Sequence, residues 1–312
     1  MTLIVALLAA GIALLVVGSY LLVDGAASIA HRLGVRTLTI GLTIVSIGTS
    51  SPEIAVNLIA ALRGVTDITF GNILGSNIFN ILAVLGITAL VRSLAVGSTT
   101  VRYEIPMCVA SAAALIAFGL NGEIGGTAGV VFLVGFAAFV GYTIVSGRRT
   151  PEIVEEPTRL RLSSVVAISA TIAGLAMLLY GGSLVVDSAV TLADLLGVPQ
   201  RVIALTIVAV GTSLPEVAAS LMALLRNQVD LAIGNAIGSC LINVTLILGV
   251  SSILTPVAVP AGATLDLAVY LVGSILLLLF AMTPFRSGRL QRIEGATLLL
   301  GYAGYVTALL VL

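Results

Sequence analysis

Two glutamates stand where hydrocarbon is expected. Glu53 lies in "IVSIGTSSPEIAVNLIAALRG", residues 44–64, and Glu216 closes the matching "GTSLPE" at 211–216. A charged side chain at the centre of a bilayer costs roughly 2.5–3.5 kcal/mol on insertion scales, so such groups are functional by default. Each follows a proline, which removes a backbone donor and clashes with the carbonyl four residues back. Pro52 therefore frees carbonyls near Gly48 and Thr49, and Pro215 does so near Gly211 and Thr212. At membrane depth bare carbonyls are tolerated only against protein or a polar cavity, and a bound cation would satisfy them. Ser50, Glu53 and Asn57 fall on one helix face, as do Ser213, Glu216 and Ser220. Asn72, Ser76 and Asn80 step by four, as do Asn235, Ser239 and Asn243. This is an all-oxygen set without imidazole. Hard cations such as Ca2+ and Na+ take oxygen ligands, about 6–8 for Ca2+, whereas zinc or copper favours Cys or His. Two carboxylates also balance the charge of one Ca2+.

The elements that must position these residues are membrane helices. The chain of 312 residues is 59% hydrophobic and 9% charged, with mean hydropathy +1.22; soluble domains carry about 25% charge. The apolar runs approach the roughly 20 residues that a helical span needs, not the alternating segments of about 10 that build a β-barrel. An all-α polytopic membrane protein is expected. Charge, Gly and Pro divide it into ten candidate spans at 2–24, 38–62, 70–91, 103–120, 126–146, 163–188, 201–225, 233–254, 264–283 and 293–311. The first lacks the positively charged start of a signal peptide and is expected to be a retained helix. Zero net charge gives no electrostatic case for nucleic acid. Cys108 and Cys240 fall inside apolar runs, so a disulfide framework is not expected.

An internal repeat organises the spans. Adding 163 to the first-half numbers maps Asp24 on Asp187, Glu53 on Glu216, Asp67 on Asp230, Asn72 on Asn235, Ser76 on Ser239 and Asn80 on Asn243. Residues 41–80 and 204–243 are identical at 20 of 40 positions. Five spans per half is an odd number, so the second half is expected upside down, an arrangement typical of transporters with a midplane site. The domains expected are a five-helix repeat at 1–146, a linker at 147–162 and a second repeat at 163–312. The chain has no Lys, and twelve of its fourteen Arg fall on one side of the ten-span scheme, with Arg63 and Arg201 on the other. The positive-inside rule then puts the linker in the cytoplasm and both termini outside a cell membrane.

The paired motifs "GTSSPE" with "GNILGSNIFN", and "GTSLPE" with "GNAIGSCLIN", resemble the α-repeats of the sodium/calcium exchangers, in the cation/calcium exchanger superfamily, along essentially the whole chain. The resemblance implies an antiporter that exchanges Na+ for Ca2+ by alternating access. It implies Ca2+ held by Glu53 and Glu216 with the carbonyls of Thr49 and Thr212. Na+ sites are implied at Ser50, Ser76, Asn80, Ser213, Ser239 and Asn243, with carbonyls at Ser46 and Ala209. The first and sixth spans become a sliding gate. Many relatives, potassium-dependent ones included, carry Asp where this chain has Asn243, so K+-independent, electrogenic exchange is expected. The alternative is Ca2+/H+ antiport. A monomer embedded in lipid is expected to suffice, with no cofactor.

Other readings compete. Asn57, Asn72, Asn235 and Ser220 suit hydrogen bonding between helices equally well. Gly71 with Gly75, and Gly234 with Gly238, have a spacing that permits close helix packing. Asp24 and Asp187 fall near expected helix ends, where solvation or capping explains them. An intramembrane enzyme with Ser50 or Ser213 as nucleophile would need a nearby base, but there is no Lys, and the single histidine, His31, is expected in a loop. A channel is a third reading; the inverted repeats with proline-broken helices favour a carrier, and the flux rate decides between them.

Overall fold

The computed structural model describes residues 2–149, 162–197, 209–260, 262–282 and 288–311. Among these residues seven helices are long and apolar enough to cross a membrane, or eight if the pair Thr37–Thr49 and Ser51–Leu62 is one broken span. Much of the 147–162 linker and the start of the expected 201–225 span lie outside the described residues. The chain forms two compact units, each drawing on both halves of the sequence: residues 1–50 with 147–235, and residues 51–146 with 236–312.

The first unit begins with α1 (Thr2–Leu33), followed by α2 (Thr37–Ile40), the π-turn Gly41–Val45 and α3 (Ser46–Thr49). α1 continues through Gly11, Gly18 and Gly25 and ends only before Gly34, whose φ of +63° is a left-handed value that only glycine adopts readily. There the Val35 N–H closes onto the Ala30 carbonyl at 3.0 Å, the hydrogen bonding of a glycine C-cap. α1 thus runs past its expected end at residue 24. His31 lies exposed in its last turn rather than in a loop, and Asp24 lies inside the helix, buried rather than solvated at an end. Its charge is met by Arg226, 202 residues away: Nη2 donates to Oδ1 at 2.7 Å and Oδ2 at 2.6 Å, and Nε donates to Oδ1 at 3.0 Å. The Arg226 guanidinium carbon also lies 4.4 Å from the centre of the Tyr20 ring. Removing one partner of a well-shielded pair leaves an uncompensated charge. Arg226→Gln should therefore lower stability by about 2 kcal/mol, read as a fall in unfolding temperature in detergent; an unchanged temperature would show that the pair is solvated.

α1 packs along α9 (Ser164–Leu195). The contacts run from Gly11 with Gly181, through Gly18 with Gly174, to Gly25 with Thr171, so the two helices are antiparallel. A Cβ added to Gly18 would stand 2.8 Å from Met177 Cβ and 2.9 Å from the Gly174 carbonyl oxygen. Two backbones in direct contact gain van der Waals attraction that lipid cannot replace, which is how helices associate where burial of apolar surface supplies little. The unit continues with α10 (Ala209–Gly211), α11 (Leu214–Leu225) and the first part of α12 (Val229–Ile242). Leu22, Val23 and Ala26 of α1 meet Leu178 of α9, Ala219 and Ala223 of α11, and Leu231 of α12 in its core.

The second unit holds α4 (Ser51–Leu62), α5 (Thr66–Ile78) and α6 (Leu85–Val91), with the π-turn Phe79–Val84 joining the last two. α7 (Ile105–Gly119) follows the π-turn Thr100–Glu104, and α8 spans Gly126–Arg149. The rest of α12, the π-turn Asn243–Leu248 and α13 (Gly249–Leu254) form a second interrupted helix. α14 (Thr264–Met282) and α15 (Arg292–Val311) complete the unit. Two short antiparallel pairs clip its connections: β1 (Leu94–Ala95) with β4 (Arg289–Leu290), and β2 (Glu123–Ile124) with β3 (Val257–Ala258). The glycine spacing at 71 and 75 does not mark close packing, because a Cβ at either residue would meet nothing within 4 Å. Its counterpart Gly234, in the first unit, does pack tightly: a Cβ there would stand 2.8 Å from the Leu38 carbonyl oxygen.

Candidate functional site

Both proline motifs break their helices at the serine before the proline pair. Ser50 separates α3 from α4 with φ −80° and ψ 11°, and Thr212 and Ser213 separate α10 from α11, Ser213 with φ −94° and ψ 8°. A single residue near ψ 0° stops the helical ladder, as the missing proline donors require.

In the first unit Glu216 occupies the first turn of α11 and is 1% exposed. Its Oε1 accepts a hydrogen bond from Ser50 Oγ at 3.1 Å. Asn235 braces the backbone beside Glu216 rather than its carboxylate. Its Nδ2 donates to the Glu216 carbonyl at 3.3 Å and to Ser220 Oγ at 3.0 Å, and its Oδ1 accepts from Thr49 Oγ1 at 3.0 Å. Asn235 and Ser220 thus act as brackets between helices. Thr212 Oγ1 is buried with no hydrogen-bond partner among the described residues. Ser46 and Ser213 are fully buried in the same unit, and Ala209 opens α10.

In the second unit Glu53 occupies the first turn of α4, also 1% exposed, and its Oε1 accepts from Ser76 Oγ at 3.3 Å. Asn57 Nδ2 donates to the Glu53 carbonyl at 2.7 Å and to Asn72 Oδ1 at 2.8 Å, the counterpart of the Asn235 bracket. Asn80 lies in the Phe79–Val84 π-turn, and Asn243 opens the Asn243–Leu248 π-turn. Such turns inside helices recur at functional sites. Asn80 Oδ1 and Asn243 Oδ1 are buried without a hydrogen-bond partner among the described residues, and Ser239 is buried as well. No group of three or more His, Cys, Asp or Glu side chains gathers among the described residues, so any ligand set there draws on hydroxyls, amides and carbonyls beside at most two such side chains.

The family model for "Sodium/calcium exchanger protein" matches residues 3–145 and 166–311. This chain belongs to the sodium/calcium exchanger family. The exchanger is 28% identical over 339 residues to the "Sodium/calcium exchanger MaX1" of Methanosarcina acetivorans, a match covering 96% of each chain. It is 33% identical over 296 residues to the "Inner membrane protein YrbG" of Escherichia coli strain K12, covering 92% of this chain and 90% of the relative. Among solved structures it is similar to the sodium–calcium exchanger NCX_Mj soaked with 2.5 mM Na+ and 0.1 mM Ca2+, with a TM-score of 0.86, 32% identity and coverage of 98% of each chain. Family and fold are those of membrane transporters.

Of the twelve residues expected from sequence, the exchanger carries Ser46, Thr49, Ser50, Ala209, Thr212, Ser213 and Glu216 in the first unit, and Glu53, Ser76, Asn80, Ser239 and Asn243 in the second. Side-chain pairs seen directly among them include Ser50 with Glu216 and Ser76 with Glu53. Sequence reasoning missed Asn77, whose Oδ1 accepts from Asn243 Nδ2 at 2.9 Å. Its place beside Ser76 in "GNILGSNIFN" was the available signal.

Proposed function

We propose that this chain is a secondary antiporter that exchanges Na+ for Ca2+ across a cell membrane by alternating access, without K+ and with net movement of charge. The observation that carries the proposal is the set of buried oxygens at Asn80, Asn243 and Thr212 without hydrogen-bond partners among the described residues. Buried polar atoms are nearly always satisfied, and an exception calls for an explanation such as an ion. Glu53 and Glu216 supply the charge that balances Ca2+. The carbonyls of Thr49, Thr212, Ser46 and Ala209, with Ser50, Ser76, Asn80, Ser213, Ser239 and Asn243, supply neutral oxygens for Ca2+ and Na+. Asn243 coordinates without adding charge. With two carboxylates in the site, carrying more than two Na+ for each Ca2+ moves net charge, which a membrane potential biases by about 2.3 kcal/mol per charge per 100 mV.

The transporter has ten spans in two inverted repeats. The antiparallel run of α1 against its repeat counterpart α9 and the helix breaks recurring at Ser50 and Ser213 support that reading. Both termini face outward and the 147–162 linker is cytoplasmic. An impermeant maleimide on intact cells should label Gly122→Cys and miss Glu155→Cys; the native cysteines are buried and give little background. The reverse pattern would overturn the orientation.

The function is tested by 45Ca2+ uptake into proteoliposomes at clamped potential, driven by outward Na+, K+ or H+ gradients. Uptake should follow the Na+ gradient, respond to voltage and ignore K+. Uptake driven by H+ and indifferent to Na+ would replace this reading with Ca2+/H+ antiport.

A further inference from the structure

We propose that Asn77 is a positioning residue that fixes which end of the Asn243 amide faces the transported cation. The inference rests on the reading of Asn243 as a cation ligand. An asparagine amide has two ends of nearly equal size, an oxygen that binds cations and an NH2 that repels them. Which end is presented depends on the hydrogen bonds of the other.

The contacts of Asn77 in the second unit, where the Tyr270 hydroxyl also meets its side chain, set the direction. The Cys240 carbonyl can only accept, and Asn77 Nδ2 donates to it at 3.3 Å. That contact leaves Asn77 Oδ1, which can also only accept. Asn243 must therefore offer its NH2, and its Nδ2 donates to Asn77 Oδ1 at 2.9 Å. The Asn243 oxygen is left over, in a residue only 1% exposed and with no hydrogen-bond partner for that oxygen among the described residues. Turning the Asn243 amide over would set oxygen against oxygen at the same separation. Turning Asn77 as well would set its oxygen against the Cys240 carbonyl. A backbone carbonyl thus dictates, through two side chains, that an oxygen is presented.

Cys240 Sγ approaches the Asn77 carbonyl at 3.7 Å, so the two residues grip each other in both directions. The device is not duplicated. The residue 163 positions after Asn77 is Cys240 itself, which has no amide to orient Asn80 in the same way.

The test is a double-mutant cycle on the Ca2+ concentration for half-maximal uptake in proteoliposomes, with Asn77→Ala, Asn243→Ala and the double variant. Each single change should raise that concentration about tenfold, the worth of one hydrogen bond to a charged centre. The double variant should be no worse than Asn243→Ala, because Asn77 acts only through its neighbour. A role in general packing would instead give additive losses and a lower unfolding temperature in both backgrounds. If Asn77→Ala does not yield folded protein, Asn77→Ser enters the same cycle, since its shorter side chain cannot bridge Cys240 and Asn243. Additive losses, or an unaltered Asn77 variant beside an impaired Asn243→Ala, would overturn the inference. An unaltered Asn243→Ala would overturn it differently, by removing Asn243 from the ligand set.

Discussion

Glu53→Gln and Glu216→Gln are each expected to abolish the proposed Na+-driven Ca2+ uptake while the protein stays folded. Glutamine keeps the shape of the side chain and an oxygen that can accept from Ser76 in one case and Ser50 in the other, the bonds now seen at 3.3 Å and 3.1 Å. On the proposed reading, what it removes is half of the charge opposing a divalent ion. Breaking a buried charge pair costs about 3–5 kcal/mol, so the Ca2+ concentration for half-maximal uptake should rise by roughly 100-fold or more. Uptake of 45Ca2+, paired with size-exclusion chromatography and thermal unfolding, checks both parts. Near-normal flux in either purified variant would dismiss the carboxylates as the Ca2+ ligands.

Gly174→Leu is expected to remove transport by a different route. A Cβ on Gly174 would lie 2.5 Å from the Leu22 backbone nitrogen and 2.6 Å from the Gly18 carbonyl oxygen. Backbone cannot turn aside as a side chain can, so α1 and α9 must separate along their seam. Overpacking typically costs about 1–3 kcal/mol and occasionally more, and here the core of the first unit opens with it. The expected result is a fall of several degrees in unfolding temperature and loss of uptake. Gly71→Ala is the matched control. Its Cβ would meet nothing within 4 Å, and alanine favours the helix by roughly 0.5–1 kcal/mol. Equal behaviour of the two variants would show that the seam does not matter.

The features legible from sequence are those in which one residue type forces a consequence. A proline beside a glutamate in an apolar run announced both a broken helix and a buried charge, and the breaks stand at Ser50 and Ser213. The serine hydroxyls on the same faces followed from helical spacing. Partners far apart in sequence were not legible. Asp24 resembled a helix end because its cation, Arg226, is supplied 202 residues later. The glycine spacing at 71 and 75 matched a packing motif, but spacing does not say whether a neighbouring helix lies on that face. The π-turns carrying Asn80 and Asn243 had no signal either, since the extra residue in such a turn has no side-chain preference of its own. Asn57 and Asn235 lay on the expected faces, yet only their partners showed them to be brackets.

The interleaving of the two units constrains how the protein is made. The ribosome releases α1 first, but the helix against which its glycines close, α9, ends only at Leu195. At about 5–20 residues per second, the first helix waits in the bilayer for roughly 10–30 s before its partner arrives. During that interval Asp24 has no Arg226, and a stripe of bare backbone faces lipid. A stop codon near residue 146 would leave neither unit complete, so truncated products are expected to be degraded rather than to persist.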